Sequence, residues 1–213
     1  MEEKTTLKAS LKISMVLLSI MWILKLAEIL FNHKFSYLGI LPREVSGIKG
    51  ILFSPFLHGD LNHLISNTFP FLILNTSLFY FYRKNSVQIF IFSQVLAGIL
   101  LWIFGRESYH IGASGLIYSF AAFFFFNGIF YRNIKAITLS LVTIFLYGGL
   151  AAGLLPVDEK ISWEGHLFGA VSGLLSVFFF SNNTPSKKYD WEDEDISHLP
   201  DPEISYKKGY PFE

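Results

Sequence analysis

Hydrophobic residues occur in six long runs, separated by shorter segments that hold most of the charged residues. The runs cover residues 11–31, 60–82, 87–104, 112–131, 135–155 and 163–181. A helix needs about 20 residues to cross a hydrocarbon core of about 30 Å, and each run meets or nearly meets that length. The runs are continuous rather than alternating, and lipid requires a backbone whose hydrogen bonds are satisfied internally. The pattern therefore predicts an all-α, polytopic membrane protein with six transmembrane helices.

The distribution of basic residues predicts the orientation of this bundle. More of them fall on the side of the two termini than on the opposite side, so the positive-inside rule places both termini in the cytoplasm. The basic residues on the terminal side are Lys4, Lys8, Lys12, Arg83, Lys84, Arg132, Lys135, Lys187 and Lys188. Lys25 and Glu28 interrupt the far end of the first run and no small-residue cleavage motif follows, so we interpret this run as a retained helix and not as a signal peptide.

Composition narrows the classes of function. Hydrophobic residues make up 52% of the chain, charged residues 16%, and the net charge is zero, so nothing favours a nucleic-acid partner. There is no cysteine, which excludes disulfides, thiolate metal ligands and a cysteine nucleophile. We predict a cytoplasmic N-terminus at residues 1–10, a membrane domain at 11–181, and an acidic cytoplasmic tail at 182–213 that is disordered because it lacks apolar periodicity.

Three of the runs carry polar residues at the same end. His63 and Asn67 lie near the start of the second run, Ser114 near the start of the fourth, and His166 near the start of the sixth. With the termini inside, these three helices all run from the outer side inward, so the four residues share one layer about 5 Å below the outer boundary. Polar groups are costly inside a membrane, and their default interpretation is a functional site.

The residue types in this layer indicate a serine hydrolase. A serine hydroxyl needs a base, and histidine has a pKa suited to that task near neutral pH. Ser114 is thus the predicted nucleophile and His166 the predicted general base. Glu164 is two residues from His166 and points to another face, whereas Asp158 and Glu159 lie in the preceding loop. A two-residue Ser114–His166 dyad is the simpler hypothesis.

Neighbouring residues fit the same site. Small residues that let two helix backbones approach closely in lipid surround both members of the dyad, and they are Gly112, Gly115, Gly165, Gly169 and Gly173. His63 and Asn67 are spaced i, i+4 and share a helix face, so both can donate to an oxyanion, as can the backbone N–H of Ser114. Tyr118 lies one turn after Ser114 and can pack on the imidazole. The alternative interpretations are a packing stripe without chemistry and a polar pair that satisfies itself.

His58 precedes the second run and is expected to brace the first loop. Its i, i+5 spacing from His63 disfavours a shared metal ion on a helix.

Together, these motifs resemble the rhomboid family of intramembrane serine proteases. The matching motifs are His58-x4-His63-x3-Asn67, Gly112-Ala-Ser114-Gly115 with Tyr118, and Gly165-His166-x2-Gly169-x3-Gly173. Their order and their placement on the second, fourth and sixth helices match a six-helix rhomboid core, and the resemblance covers residues 11–181. One departure is the first loop: many rhomboids carry a Trp-Arg pair there, but residues 32–59 contain no tryptophan.

The resemblance implies Ser114 as nucleophile, His166 as general base, and His63, Asn67 and the Ser114 amide as oxyanion donors. Tyr118 would stack on His166. It implies cleavage of transmembrane protein substrates near the outer boundary, with lateral entry past the second and fifth helices and the loop at residues 156–162 as a lid. No cofactor or metal ion is implied. The partners are the substrate and the lipid bilayer, and the predicted location is the cell (inner) membrane of a bacterium.

Two other classes of function compete with this prediction. One is a catalytically silent, rhomboid-like membrane chaperone that binds transmembrane segments, although inactive relatives usually lose the serine or the histidine. The other is a channel or transporter that relays protons through buried histidines, for which polar residues near the midplane and discontinuous helices are typical. Neither the oligomeric state nor a role for the acidic tail follows from the sequence.

Overall fold

The computed structural model describes residues 2–132, 134–146, 153–155 and 162–180, and the regular elements in this part are helices. Six long helices are present there: α1 Glu2–Leu30, α2 Leu61–Phe81, α3 Ser86–Phe104, α4 Ser114–Phe130, α5 Ile134–Leu146 and α6 Trp163–Phe180. Among the described residues, extended chain pairs only at an isolated antiparallel bridge between Ile40 and His110. The all-α prediction is confirmed.

Among the described residues, four helices are long and apolar enough to cross a membrane. They are α1 from Thr6 onward with 25 residues, α2 with 21, α3 with 19 and α6 with 18. Helix α4 has 17 residues, and the described part of α5 has 13. The six-span count and the cytoplasmic location of both termini therefore stay predictions.

Two helix boundaries differ from the predicted runs by more than two residues. Helix α1 begins at Glu2 and not at residue 11, because Lys4 and Lys8 are good helix formers although they are too polar to extend a hydrophobic run. The fifth run was predicted to continue to residue 155, but Gly153–Leu155 forms a turn. Glycine followed closely by proline favours a turn over a helix, and apolar composition alone does not reveal this. The predicted lid loop, except for Ser162, and the predicted acidic tail lie outside the described residues.

Helix α4 occupies the centre of the bundle, where it packs against α6, α5 and α2. Its Phe120, Phe123 and Phe124 side chains are fully buried. By contrast, α1 and α3 expose many of their large apolar side chains, as expected for helices that face lipid. This arrangement holds the first residue of α4, Ser114, inside the helix bundle.

The predicted close approach of the fourth and sixth helices is present. A Cβ atom built on Gly169 would lie 2.3 Å from the carbonyl oxygen of Gly115, and one built on Gly173 would lie 2.0 Å from that of Ser119. No side chain fits at either position, so glycine is required for the two backbones to touch. This contact sets the distance between the two helices that begin at Ser114 and just before His166.

The first loop is folded, although it has no tryptophan of its own. Four short helical turns, at Ser36–Leu38, Val45–Gly47, Gly50–Phe53 and Ser54–Phe56, shape it. The guanidinium of Arg43 donates to the carbonyl of Gly105 at 2.6 Å, and the indole N–H of Trp102 donates to the carbonyl of Glu44 at 2.9 Å. The loop thus supplies an arginine and α3 supplies a tryptophan, and together they anchor the loop to the end of α3.

A buried ion pair ties the end of α1 to both ends of this loop. The ammonium of Lys25 donates to Glu28 at 2.8 Å and to the carbonyls of His58 and Gly59 at 3.0 and 2.9 Å. The other oxygen of Glu28 accepts from the backbone N–H of Phe35 at 2.6 Å. Each charge therefore has a partner and further hydrogen bonds, which a buried pair needs to offset its loss of hydration. The pair fixes the chain immediately before α2.

Candidate active site

Ser114 and His166 lie within hydrogen-bond distance of each other. Ser114 is the first residue of α4, His166 is the fourth residue of α6, and the hydroxyl oxygen lies 2.9 Å from Nε2 of the imidazole. The other ring nitrogen, Nδ1, lies 2.8 Å from the carbonyl oxygen of Gly153. A carbonyl can only accept, so Nδ1 carries the ring proton and Nε2 offers a lone pair. Ser114 therefore donates its hydroxyl proton toward Nε2, the tautomer in which the imidazole can act as a base.

The partner of His166 Nδ1 is a backbone carbonyl and not a carboxylate. No sequence signal could have revealed this partner, because every residue has a carbonyl group and Gly153 meets His166 only through the fold. Glu164 lies elsewhere: one oxygen of its buried carboxylate is 3.6 Å from Nε of Arg106. Asp158 and Glu159, the other two acids considered for a triad, lie outside the described residues, so the two-residue dyad stays a prediction.

Tyr118 stacks on the imidazole of His166. The two ring centroids are 4.2 Å apart and the rings are inclined by 11°. Tyr118 is buried one turn after Ser114, where the sequence predicted it. Stacking on Tyr118 fixes the plane of the imidazole, and the hydrogen bond to the Gly153 carbonyl fixes the orientation of the ring within that plane. His166 is therefore held by two separate contacts.

His63 and Asn67 both reach the chain just before Ser114. A Cβ atom built on Gly112 would lie 2.8 Å from Nε2 of His63 and 3.7 Å from Nδ2 of Asn67. Gly112 also has φ +119°, which side-chain-bearing residues rarely adopt. A glycine is therefore required here for two separate reasons. Both predicted donors therefore lie beside Gly112, which precedes Ser114 by two residues.

The amide nitrogen of Asn67 is a buried donor that has no hydrogen-bond partner among the described residues. Leaving such a group unpaired costs about 1–3 kcal/mol, so unpaired donors are uncommon and call for a reason. One such reason is that the acceptor for Asn67 belongs to a molecule that binds at the site and reacts there. The backbone N–H of Ser114 is similarly available, because the first residue of a helix has no intrahelical acceptor.

His58, which is expected to brace the first loop, lies at the end of that loop beside the site. It is almost fully buried, its Nε2 accepts from the backbone N–H of Ala113 at 3.5 Å, and its ring meets that of His63 edge-on at 5.0 Å. In the described part of the chain, no group of three or more histidine or acidic residues is arranged to hold a metal ion.

A cavity of about 40 Å³ adjoins Ser114. Its polar lining is supplied by Ser54, Gln94, His110 and Ser162. A cavity of about 10–15 Å³ suffices for one water molecule, so this one has room for more than one water beside the serine. The hydroxyl, amide and imidazole groups in its wall are the kind of partners that bound water needs.

Besides the Gly153 carbonyl, sequence reasoning missed His110 at this site and Lys25, which supports it. His110 belongs to no motif, yet it is buried and lines the same cavity as Ser114. Lys25 and Glu28 were interpreted only as polar interruptions of the first run. A buried lysine on an apolar helix was the one available signal, since such a residue needs an acidic partner.

Acid is expected to weaken the fold through His58 and His110, which both lie outside the helices. Burial lowers the pKa of His58 from 6.5 to about 3, assisted by the charges of His63 and Lys25 and opposed by that of Asp60. Burial also lowers the pKa of His110; the hydrogen bond to the Arg106 carbonyl and the charge of Glu164 oppose this shift, and the charge of Arg106 adds to it. Both rings stay neutral in the fold but take up protons on unfolding, so their contribution is complete above about pH 6.5 and is lost as the pH falls toward the folded pKa.

This loss is measurable as thermal unfolding in detergent between pH 7.5 and pH 5. Each histidine lowers the free energy of unfolding by up to about 1.4 kcal/mol per pH unit below pH 6.5. His58→Gln should flatten the decline, whereas His33→Gln, at an exposed position, should leave it unchanged. Equal slopes in the two variants would contradict the assignment to His58.

Comparison with known proteins identifies the family. The sequence profile of the Rhomboid domain matches residues 45–183. Uncharacterized proteins of Mycobacterium tuberculosis and Mycobacterium bovis are 32% identical over 179 residues, covering 80% of this chain and 74% of their own length. A putative rhomboid protein of Acanthamoeba polyphaga mimivirus is 27% identical over 145 residues, covering 63% of this chain and 77% of its own length. The matched region includes His58, His63, Asn67, Ser114 and His166, and the chain is a membrane protein that belongs to the rhomboid family.

Proposed function

We propose that this protein is an intramembrane serine endopeptidase, with Ser114 as its nucleophile and His166 as its general base. The observation that carries the proposal is the 2.9 Å contact between the Ser114 hydroxyl and the unprotonated nitrogen of His166. The bond from Nδ1 to Gly153 fixes the tautomer, and the stacked ring of Tyr118 fixes the plane. A serine and a histidine whose orientation is held by third groups form the arrangement that activates a nucleophile.

In the first half of the reaction, Ser114 Oγ attacks the carbonyl carbon of the scissile peptide bond. Its proton passes to His166 Nε2, while the proton on Nδ1 stays on its bond to Gly153. The negative charge on the former carbonyl oxygen is met by Asn67 Nδ2, by the His63 ring and by the Ser114 backbone N–H. Each such donor contributes about 3 kcal/mol to transition-state stabilisation. Nε2 then gives its proton to the departing amine, the C–N bond breaks, and an ester on Ser114 remains.

In the second half, water attacks that ester. The cavity of about 40 Å³ next to Ser114 is suited to supply this water, since the bundle around it is apolar. The water gives a proton to His166 Nε2 as its oxygen attacks the ester carbon. Collapse of the second oxyanion breaks the C–O bond to Ser114, and Nε2 returns its proton to the serine oxygen. The carboxylic acid product leaves, and the free enzyme is restored.

The proposed substrates are proteins with a transmembrane segment. Ser114 and His166 lie at the starts of α4 and α6, so in the predicted orientation the cut falls near the outer boundary of the membrane. Such substrates would enter from the lipid past α2 and α5. The mycobacterial relatives support a bacterial cell membrane as the proposed location.

The test is cleavage of a single-span reporter in proteoliposomes. The reporter carries small residues at the outer end of its transmembrane segment. We expect the wild-type protein to produce two fragments, with the cut located by mass spectrometry within the outer third of the segment, and Ser114→Ala to produce none. Ser119→Ala is a matched control, because Ser119 is a buried serine on the same helix that bonds to Ser172 and not to His166.

Two outcomes would contradict the proposal. Equal cleavage by Ser114→Ala would assign the activity to another nucleophile. A reporter that binds stably to folded wild-type protein but is never cut would favour the membrane-chaperone alternative.

A further inference from the structure

A second serine–histidine pair joins the same two segments that carry Ser114 and His166. Nδ1 of His110 lies 2.6 Å from the hydroxyl oxygen of Ser162. His110 precedes Ser114 by four residues, and Ser162 precedes His166 by four residues. The two pairs therefore connect the same two segments. In one pair the α4 segment supplies the serine and α6 the histidine, and in the other pair the α4 segment supplies the histidine and the α6 segment the serine.

The hydrogen bonds of this pair assign each proton. Nε2 of His110 lies 3.0 Å from the carbonyl oxygen of Arg106, which can only accept, so Nε2 carries the ring proton. Nδ1 is consequently an acceptor, and the Ser162 hydroxyl donates to it. The Ser162 oxygen also accepts from the backbone N–H of Gly165 at 3.2 Å. Serine directly before the first residue of a helix, bonded to the third N–H, is an N-cap.

The Ser162 hydroxyl differs chemically from the Ser114 hydroxyl. The Gly165 N–H occupies a lone pair of the Ser162 oxygen, which weakens that oxygen as a nucleophile. Ser162 therefore defines where α6 begins, and the backbone N–H of His166 bonds to the Ser162 carbonyl at 3.2 Å in the same turn. A displacement of Ser162 would move His166 with it.

His110 is itself held from the opposite side. Its backbone exchanges two hydrogen bonds with Ile40, of 2.8 and 3.0 Å, which attach it to the first loop. Its own element, the loop at residues 105–113, makes a second contact with the first turn of α6 through Arg106 and the buried Glu164, 3.6 Å apart. The start of α6 is thus bound, through His110, to a folded loop rather than to the neighbouring helix alone.

We propose that the His110–Ser162 pair is a positioning latch that keeps His166 at hydrogen-bond distance from Ser114. The consequence for catalysis rests on the proposed protease function, whereas the effect on the position of His166 does not. A misplacement of about 1 Å can cost about 100-fold in rate. Loss of the latch is therefore expected to lower kcat by about 10- to 100-fold and to leave KM nearly unchanged.

Two pairs of substitutions distinguish loss of the His110–Ser162 hydrogen bond from a change in packing alone. The side-chain oxygen of His110→Asn takes the place of Nδ1 and accepts from Ser162, whereas the amide of His110→Gln takes the place of Nε2 and reaches Arg106 instead. Ser162→Thr keeps both the hydroxyl and the cap, and Ser162→Ala loses both. We expect the Asn and Thr variants to stay within about threefold of wild-type kcat, and the Gln and Ala variants to lose the 10- to 100-fold that a misplaced base predicts.

Reporter cleavage by full-length protein in proteoliposomes gives kcat and KM for each variant. Combining His110→Gln with Ser162→Ala should be no worse than Ser162→Ala alone, because His110→Gln removes only a hydrogen bond that Ser162→Ala has already lost. Ser172→Ala is the control, since it deletes another buried hydroxyl on α6 that bonds to Ser119. Equal rates for His110→Asn and His110→Gln, or additive losses in the double variant, would overturn the proposal.

Nitrogen-15 spectra of the histidine rings test the latch without relying on cleavage. The Nδ1–H of His166 should give a slowly exchanging signal in wild-type protein and in Ser162→Thr. That signal should broaden or disappear in His110→Gln and Ser162→Ala but persist in Ser172→Ala. An unchanged His166 signal in both latch variants would overturn the latch even if the protein is a protease. A changed signal would support it even if the protein is not.

Discussion

Replacing His166 by alanine is expected to lower kcat/KM for the reporter by about 10⁴-fold or more, and Ser114→Ala to do the same. Without the imidazole, nothing takes the Ser114 proton as the hydroxyl attacks, and nothing protonates the departing amine. The two residues act as one unit, so the double variant should be no slower than either single variant. The measurement is the initial rate of reporter cleavage in proteoliposomes at several substrate densities.

Residual cleavage and thermal unfolding are the control measurements for Ser114→Ala and His166→Ala. Any cleavage that persists should come from the oxyanion donors alone, and adding Asn67→Ala should remove it. Ser114→Ala should unfold at a temperature close to that of the wild type, whereas His166→Ala should unfold at a lower temperature, because it leaves the buried Gly153 carbonyl unpaired. Both variants should fold, since neither disturbs the glycine contact of α4 and α6. A His166→Ala variant that kept more than a tenth of the wild-type rate would show that another group acts as the base.

Replacing Gly173 by leucine is expected to produce the second-largest effect. A Cβ atom at this position would lie 2.0 Å from the backbone oxygen of Ser119, so α6 must move away from α4 to admit any side chain. Overpacking costs about 1–3 kcal/mol or more, and a backbone contact cannot relax by choosing another rotamer. Because His166 is carried by α6 and Ser114 by α4, the same movement should lengthen their contact and lower kcat by about 100-fold.

Thermal unfolding and reporter cleavage should be measured on the same preparations of this variant. Val171→Leu provides the comparison, since it enlarges an exposed apolar side chain two residues away on α6. It should change neither the unfolding temperature nor the rate. Wild-type behaviour of Gly173→Leu would mean that the close approach of α4 and α6 is not needed for the site.

Features of the site that depend on local spacing could be predicted from the sequence. Ser114 and Tyr118 are one helical turn apart, His63 and Asn67 are spaced i, i+4, and the glycines of α6 repeat every four residues. A single helix places such residues on one face regardless of the rest of the fold. The shared depth of three helix starts then follows from the direction of each run.

Features that depend on how distant segments meet could not be predicted in this way. The Gly153 carbonyl that fixes the His166 tautomer has no side-chain signature. His110 is recognisable only once the loop before α4 is placed against the start of α6. The hydrogen bonds that anchor the first loop, from Arg43 to Gly105 and from Trp102 to Glu44, join residues 62 and 58 positions apart, and neither donor belongs to a motif.

The ends of α1 and α5 show the limit of hydropathy as a predictor. The first helix extends to Glu2 through lysines that the apolar run excludes, whereas the apolar run of the fifth continues into the turn at Gly153–Leu155. Apolar composition reports which residues prefer lipid or a core. Glycine and proline determine where a helix stops, and the two signals need not coincide.

The most direct test for an activated Ser114 is labelling of the detergent-purified protein with a fluorescent fluorophosphonate, which reacts with activated serines. We expect wild-type protein to be labelled at Ser114, and Ser114→Ala and His166→Ala not to be labelled. Labelling that survives Ser114→Ala, or correctly folded wild-type protein that is not labelled in either detergent or lipid, would contradict an activated serine at this site.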